Sequence, residues 1–188
     1  MVIPNKPECF YLLEMLDSHL IDYSYTQPWA DKLIEGIDIP PVWLCDIAVK
    51  KSQVDQLKAI REYVFSEPFE ENPPELEKFH VACLWLRYER RELSWATLLR
   101  EIGDCLDAAD GDWDCETPYH YLNMYEDADF TEESEKRIKQ EYLLEQNILP
   151  WVALAREKLT PFQSHLSKVV DNCFGNGVRR ISRNQSQV

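Results

Sequence analysis

Glycine is scarce in this chain of 188 residues, with only Gly36, Gly103, Gly111, Gly175 and Gly177. Loops that cradle phosphate need glycine where the backbone must approach its ligand, and these five form neither a P-loop nor a dinucleotide fingerprint. The G-x-S-x-G pattern is missing as well, which removes serine hydrolases of that type. No apolar run approaches the roughly 18–20 residues that cross a bilayer. The first twenty residues, MVIPNKPECFYLLEMLDSHL, lack a basic leader and a long apolar stretch and carry Glu8 and Glu14 early, so they do not read as a secretory signal. A cytoplasmic location and no membrane partner are the expectation.

Close cysteine pairs are also lacking. Cys9, Cys45, Cys83, Cys105, Cys115 and Cys173 are far apart, with no C-x-x-C. Several fall inside apolar helical patterns, where a thiol behaves as a small hydrophobe. A disulfide framework is not expected of such a chain without an export signal.

The most informative absence concerns charge of one sign. From Glu101 to Glu135 there is no Lys or Arg, against 13 acidic residues. The rest of the chain holds 21 acidic and 20 basic residues, so nearly all of the net charge of −14 lies in this one segment. Phosphates would be repelled there, and direct binding of nucleic acid is not expected.

What the chain does have is helical periodicity. Hydrophobic residues at 45% and charged residues at 29% suit a globular protein rather than a disordered one, and the length suits one core. Cys9, Leu12, Leu13, Leu16 and Leu20 trace one face of a first helix over about Pro7 to Asp22. Thr26 reads as the cap of a second that Gly36 closes, and Pro40-Pro41 as the start of a third. Ser52 with Asp55 resembles a capping box for a fourth. Asn72-Pro73-Pro74 opens a helix whose stripe of Leu76, Phe79, Cys83 and Leu86 is widened by Val81, Leu84, Trp85 and Tyr88. A helix apolar on most sides belongs at the centre of a core. Ser94 caps the next, with Gly111 as its stop. Thr117-Pro118 begins a short helix to about Asp127, and Thr131 caps a long one. Pro150 predicts a kink or break in it, and Thr160-Pro161 a separate final helix ending near Gly175. No strand alternation or repeat period is present. The expectation is an all-α, single-domain bundle of about seven to nine helices around a central apolar helix. Residues 1–174 form the domain and 175–188 a basic C-terminal tail with Arg179, Arg180 and Arg183.

Metal chemistry has weak footholds. His80 and Cys83 share a helix face, but a structural zinc site needs four ligands and no second pair is near; Cys105, Cys115 and His120 are a looser set. Asp110, Asp112 and Asp114 mimic the first, third and fifth positions of a calcium loop. The sixth position should be Gly and is Cys115, and the twelfth should be Glu and is Tyr121. No metal and no cofactor are therefore expected. Paired carboxylates for acid–base catalysis cannot be picked out of 13 acids, so an enzyme, such as a metal-dependent hydrolase, is the weaker reading.

A solvated acidic face is the plain explanation of the segment. Two features point past it. A solubilising surface usually mixes signs, because clustered like charge destabilises the compact state. Aromatic rings are also interleaved with the acids: Trp113, Tyr119, Tyr121, Tyr125 and Phe130. Rings beside a charged rim have the composition of an interface. Some must serve the core, and Trp113 is the favoured interfacial ring because it is read as a loop residue. The expected partner-binding set is Asp107, Asp110, Asp112, Trp113, Asp114, Glu116, Tyr121, Tyr125, Glu126, Asp127 and Asp129, and the expected partner is a basic protein.

The stretches PPVWLCDIAVKK, LWLRYERREL and GDWDCETPYHYLNMYEDA resemble the small acidic helical immunity proteins of bacterial polymorphic and contact-dependent toxin systems. The resemblance spans about Pro41 to Ala128 and is one of style rather than of a diagnostic motif. It implies an inhibitor that binds a cognate toxin domain, often a basic nuclease, and blocks its active or substrate surface. The acidic segment would then occupy the place of nucleic-acid phosphates, its carboxylates pairing with the toxin's Arg and Lys. The alternative reading is a cytoplasmic adaptor or regulatory subunit that holds a non-toxic basic partner on the same face.

Overall fold

A computed structural model describes residues 3–108, 115–128 and 134–175. Among them are eight α-helices and no strand: α1 (Lys6–Asp17), α2 (Tyr23–Ile34), α3 (Val42–Val49), α4 (Gln53–Val64), α5 (Leu76–Glu89), α6 (Trp95–Asp107), α7 (Glu116–Asp127) and α8 (Ser134–Gly175). The architecture is the expected all-α bundle. No helix among the described residues is long and apolar enough to cross a membrane.

The central helix is α5. Phe79 and the unbroken run Val81 to Leu86 are buried, so most of the helix's circumference meets protein. It packs against α1, α6 and α8, while α4 packs on α1, α3 on α4, and α2 on α3 and α8. Burial lifts the thiol of Cys83 far above its usual range and that of Cys9 to about 12, in each case mainly by desolvation. Both are core hydrophobes.

Several boundaries differ from the sequence expectation, for tertiary reasons. The first helix ends at Asp17 rather than Asp22, because His19 takes a left-handed φ of 58° and the chain turns. Arginines of α5 hold that turn: Arg87 Nη1 donates to Ser18 O at 2.8 Å and Arg90 Nη1 to Leu20 O at 3.1 Å. Asp22 then caps α2, accepting from the Ser24 amide at 2.7 Å. Thr26, read as that cap, is instead buried inside α2, where its hydroxyl donates to Gln56 Oε1 at 2.7 Å. Ser52 does stand at the α4 cap position, but its side chain makes no capping bond. The start of α5 lies at Leu76, past the Asn72-Pro73-Pro74 signal, with Glu75 left-handed at φ 58°.

The largest correction concerns the end of the chain. No break occurs at Pro150 and no separate helix begins at Thr160-Pro161; α8 runs unbroken through both prolines for 42 residues. Its buried stripe of Leu144, Ile148, Val152, Ala155, Leu159 and Phe162 crosses Pro150 without losing register. Both prolines are exposed, as are Gln146 and Glu157, whose carbonyls lose an intrahelical partner. On an exposed face such carbonyls can bond to solvent, which reduces the usual cost of an interior proline while the packing of the stripe is kept. Residues 176–188 of the expected tail, and Gly111 and Thr131 as helix signals, lie outside the described residues.

Candidate functional site: an acidic cleft beside α6 and α7

The acidic segment is carried by α6 and α7, and its geometry begins with a close approach. A Cβ on Gly103 would lie 2.6 Å from the ring of Tyr119, so the absent side chain is what lets α7 lie against α6. The Tyr119 hydroxyl donates to Asp104 Oδ1 at 2.7 Å. That bond to a carboxylate, with the charge of Asp104 itself, pushes the phenol up to about 12. Pro118 is the one residue of α7 that is buried; Tyr121, Leu122 and Tyr125 are half-buried against the core.

Of the expected partner-binding residues, Asp107, Glu116, Glu126 and Asp127 are exposed, while Tyr121 and Tyr125 show only part of their rings. Asp110, Asp112, Trp113, Asp114 and Asp129 lie outside the described residues. Cys115 stands at the start of α7, half-buried, with its Sγ 4.0 Å from Asp107 Oδ1.

The same helix face continues into a cleft of about 790 Å³ between α1, α5 and α6. Its walls carry Glu14 and Asp17 from α1, Glu77, His80 and Arg87 from α5, and Glu101 and Asp104 from α6. Five carboxylates thus face one open space. His80 Nδ1 lies 2.7 Å from Glu14 Oε2, and Arg87 approaches Glu101 at 3.7 Å and Glu92 at 3.5 Å. Asp17 is paired outward with Arg61 at 3.0 Å. Glu77 and Asp104 meet no Lys or Arg at ion-pair distance among the described residues.

The partner-binding set expected from sequence includes none of the five cleft carboxylates; Glu101 and Asp104 entered only the count of the acidic segment, and Glu14, Asp17 and Glu77 not even that. The available signal was spacing: Glu14/Asp17, Glu77/His80 and Glu101/Asp104 each stand three apart, hence on one flank of their helix. That the three flanks meet depends on how α1, α5 and α6 pack. Asp104 is the hinge of the whole surface, because it lines the cleft and also anchors Tyr119 of α7.

The metal candidates separate. Cys83 is fully buried, whereas His80 turns to the cleft and Glu14. Cys105 is half-buried near Glu77 O at 3.9 Å, its thiol raised to about 11 mainly by desolvation. Among the described residues no three His, Cys, Asp or Glu side chains are grouped to hold a metal ion. What the arrangement can do is receive positive charge: an Arg or Lys side chain entering the cleft finds carboxylates on three sides. Compared with protein-family models, curated proteins and solved structures, the chain finds no match.

Proposed function

We propose that this protein is an inhibitor of the immunity type, which neutralises a basic toxin domain by covering its cationic surface. The observation that carries this reading is the continuity of negative charge from the cleft, through Asp104, to the exposed Asp107, Glu116, Glu126 and Asp127. Such a surface steers a cationic partner into place and presents carboxylates at the spacing of two adjacent helices. The partner is a protein rather than nucleic acid, since phosphates are repelled by the same field.

The test is affinity capture from a lysate of the source cells, with low-salt and then high-salt washes and mass spectrometry of the retained proteins. One stoichiometric basic protein is expected, lost at high salt as its ion pairs are screened. Its enzymatic activity is then assayed with and without the purified chain. Abolished activity supports inhibition; a retained partner whose activity is unchanged makes the chain an adaptor. The quadruple variant D104N/D107N/E126Q/D127N is expected to lower the association rate at least about tenfold at low salt. An unchanged rate sends the interface elsewhere.

A further inference from the structure

Two pairs of large apolar side chains stand in solvent beside one aromatic stack. Ile39 and Val42, before and at the start of α3, are 88% and 78% exposed; Phe65 and Phe69, just past the end of α4, are 57% and 71% exposed. Trp43 follows Val42, Tyr63 stands two residues before Phe65, and their rings stack at 4.7 Å, which draws the two segments together. Phe65 leans edge-on against buried Phe10 at 5.7 Å. The loop after it is pinned from below. The buried Lys6 donates from Nζ to Ser66 O at 2.5 Å and Pro68 O at 2.6 Å, and the Ser66 hydroxyl donates to Tyr63 O at 2.7 Å. Phe69 is thus held in solvent by a fixed backbone, and an anchor ordered beforehand loses little entropy on binding.

The charge around these side chains has one sign. Leu33 to Val49 holds Glu35, Asp38 and Asp46 with no Lys or Arg, and Glu62 to Glu77 holds six acids with no Lys or Arg. Asp46 is paired with Lys50 at 3.3 Å, but Glu35, Asp38, Glu67, Glu70 and Glu71 are exposed. Burial, Cys9 and then Glu70 raise the Tyr63 phenol, which sets the Glu70 charge beside the stack. Two neighbouring cations are committed elsewhere: Lys6 to the loop carbonyls, and Lys58 to Glu62 at 3.8 Å. The sign of this rim decides the occupant. A second copy placed patch to patch would set acid against acid, and an anionic lipid surface would meet the same repulsion. A cationic amphipathic segment of another protein satisfies both parts, its apolar side chains covering the patch while Lys or Arg reaches the rim.

We infer that the start of α3 and the loop after α4 form a docking surface for such a segment, with Ile39 and Phe69 as its apolar anchors and Glu67, Glu70 and Glu71 as its ion-pair partners. None of these residues lines the cleft or belongs to α6 or α7, so the inference is independent of the inhibitor reading.

The experiment is an NMR titration of the full chain, carrying methyl-labelled isoleucine and valine, with three synthetic peptides. These are the cationic amphipath LKKLLKLLKKLL, the equally charged polar peptide SKKSSKSSKKSS and the acidic amphipath LEELLELLEELL. The first should shift the Ile39 and Val42 methyl signals, and the other two should leave them in place. Read at Val42, the affinity should fall at least about tenfold in I39S/F69S, as two apolar anchors are lost, with helical content unchanged because both positions are exposed. E67Q/E70Q/E71Q should weaken binding at low salt and flatten its salt dependence. D104N/D107N should leave it unchanged. Shifts confined to signals outside the patch, equal binding of the acidic amphipath, or no shift at all would overturn the inference. So would Ile39 and Val42 shifts produced by raising the protein concentration alone, which mark a second copy as the occupant.

Discussion

α5 and α7 are neighbours of α6 on opposite terms. α5 buries Phe79 and six consecutive residues, and three other helices close around it. α7 has a similar length and five large apolar or aromatic residues, yet buries only Pro118 and leans chiefly on α6. The difference lies in which residues supply the apolar area. α5 uses Phe, Val, Ala, Leu and Trp, whereas α7 uses tyrosines, whose hydroxyls keep one end of each ring at the surface. One helix is therefore committed to stability, and the other is a face laid on the body, with Tyr119 on Gly103 as its tightest approach.

The comparison breaks most severely in α5. Phe79→Ala should cost about 3–5 kcal/mol in a urea melt, through lost burial and the cavity left behind. A cost below about 1 kcal/mol would remove α5 from the centre of the core. Gly103→Ala should act on the other side of the comparison. The new methyl displaces Tyr119, while alanine's better helix propensity returns about 1 kcal/mol, so global stability shifts little. Hydrogen exchange should instead speed up in α7 alone; unchanged protection there would mean that another contact holds the helix.

A titration sharpens the same contact. The folded Tyr119 phenol is raised to about 12 from a model-peptide value of 10.0, first by its bond to Asp104. The neutral phenol is the favoured form, so its contribution to docking is complete below pH 10 and is lost as pH rises through 12. Absorbance at high pH should show late-titrating tyrosine, Tyr63 being raised too by burial, and the Tyr119 part of it should move earlier in Asp104→Ala; no movement would exclude Asp104 as the cause. The smallest stability effect belongs to the exposed acids. Amides at Asp107, Glu126 and Asp127 should alter stability by no more than about 0.5 kcal/mol. A larger gain in stability would mean that self-repulsion across this face is a real strain.

Much of the bundle was legible in residue order. The stripes of α5 and α6, the Ser94 cap, whose Oγ accepts from the Thr97 amide at 3.1 Å, and the start of α3 after Pro41 all follow from local pattern. Proline was where local rules misled. Pro150 and Pro161 read as interruptions, but a stripe six residues deep holds α8 to the core across both. The turn after Asp17 was equally illegible, since it is held by arginines about seventy positions later in the chain. In the site, the concentration of charge on α6 and α7 could be counted, but the contributions of Glu14, Asp17 and Glu77 could not.

Residue order by itself determined that this chain is helical, that α5 is central, and that the one segment from Glu101 to Glu135 carries almost all the net charge. These follow from periodicity and composition, which act over a turn or two of chain. Only the tertiary structure decided that the flanks of α1, α5 and α6 converge on one acidic cleft, and that α8 passes both of its prolines unbroken. Those facts rest on packing between residues distant in sequence, where the burial of a stripe outweighs any local preference.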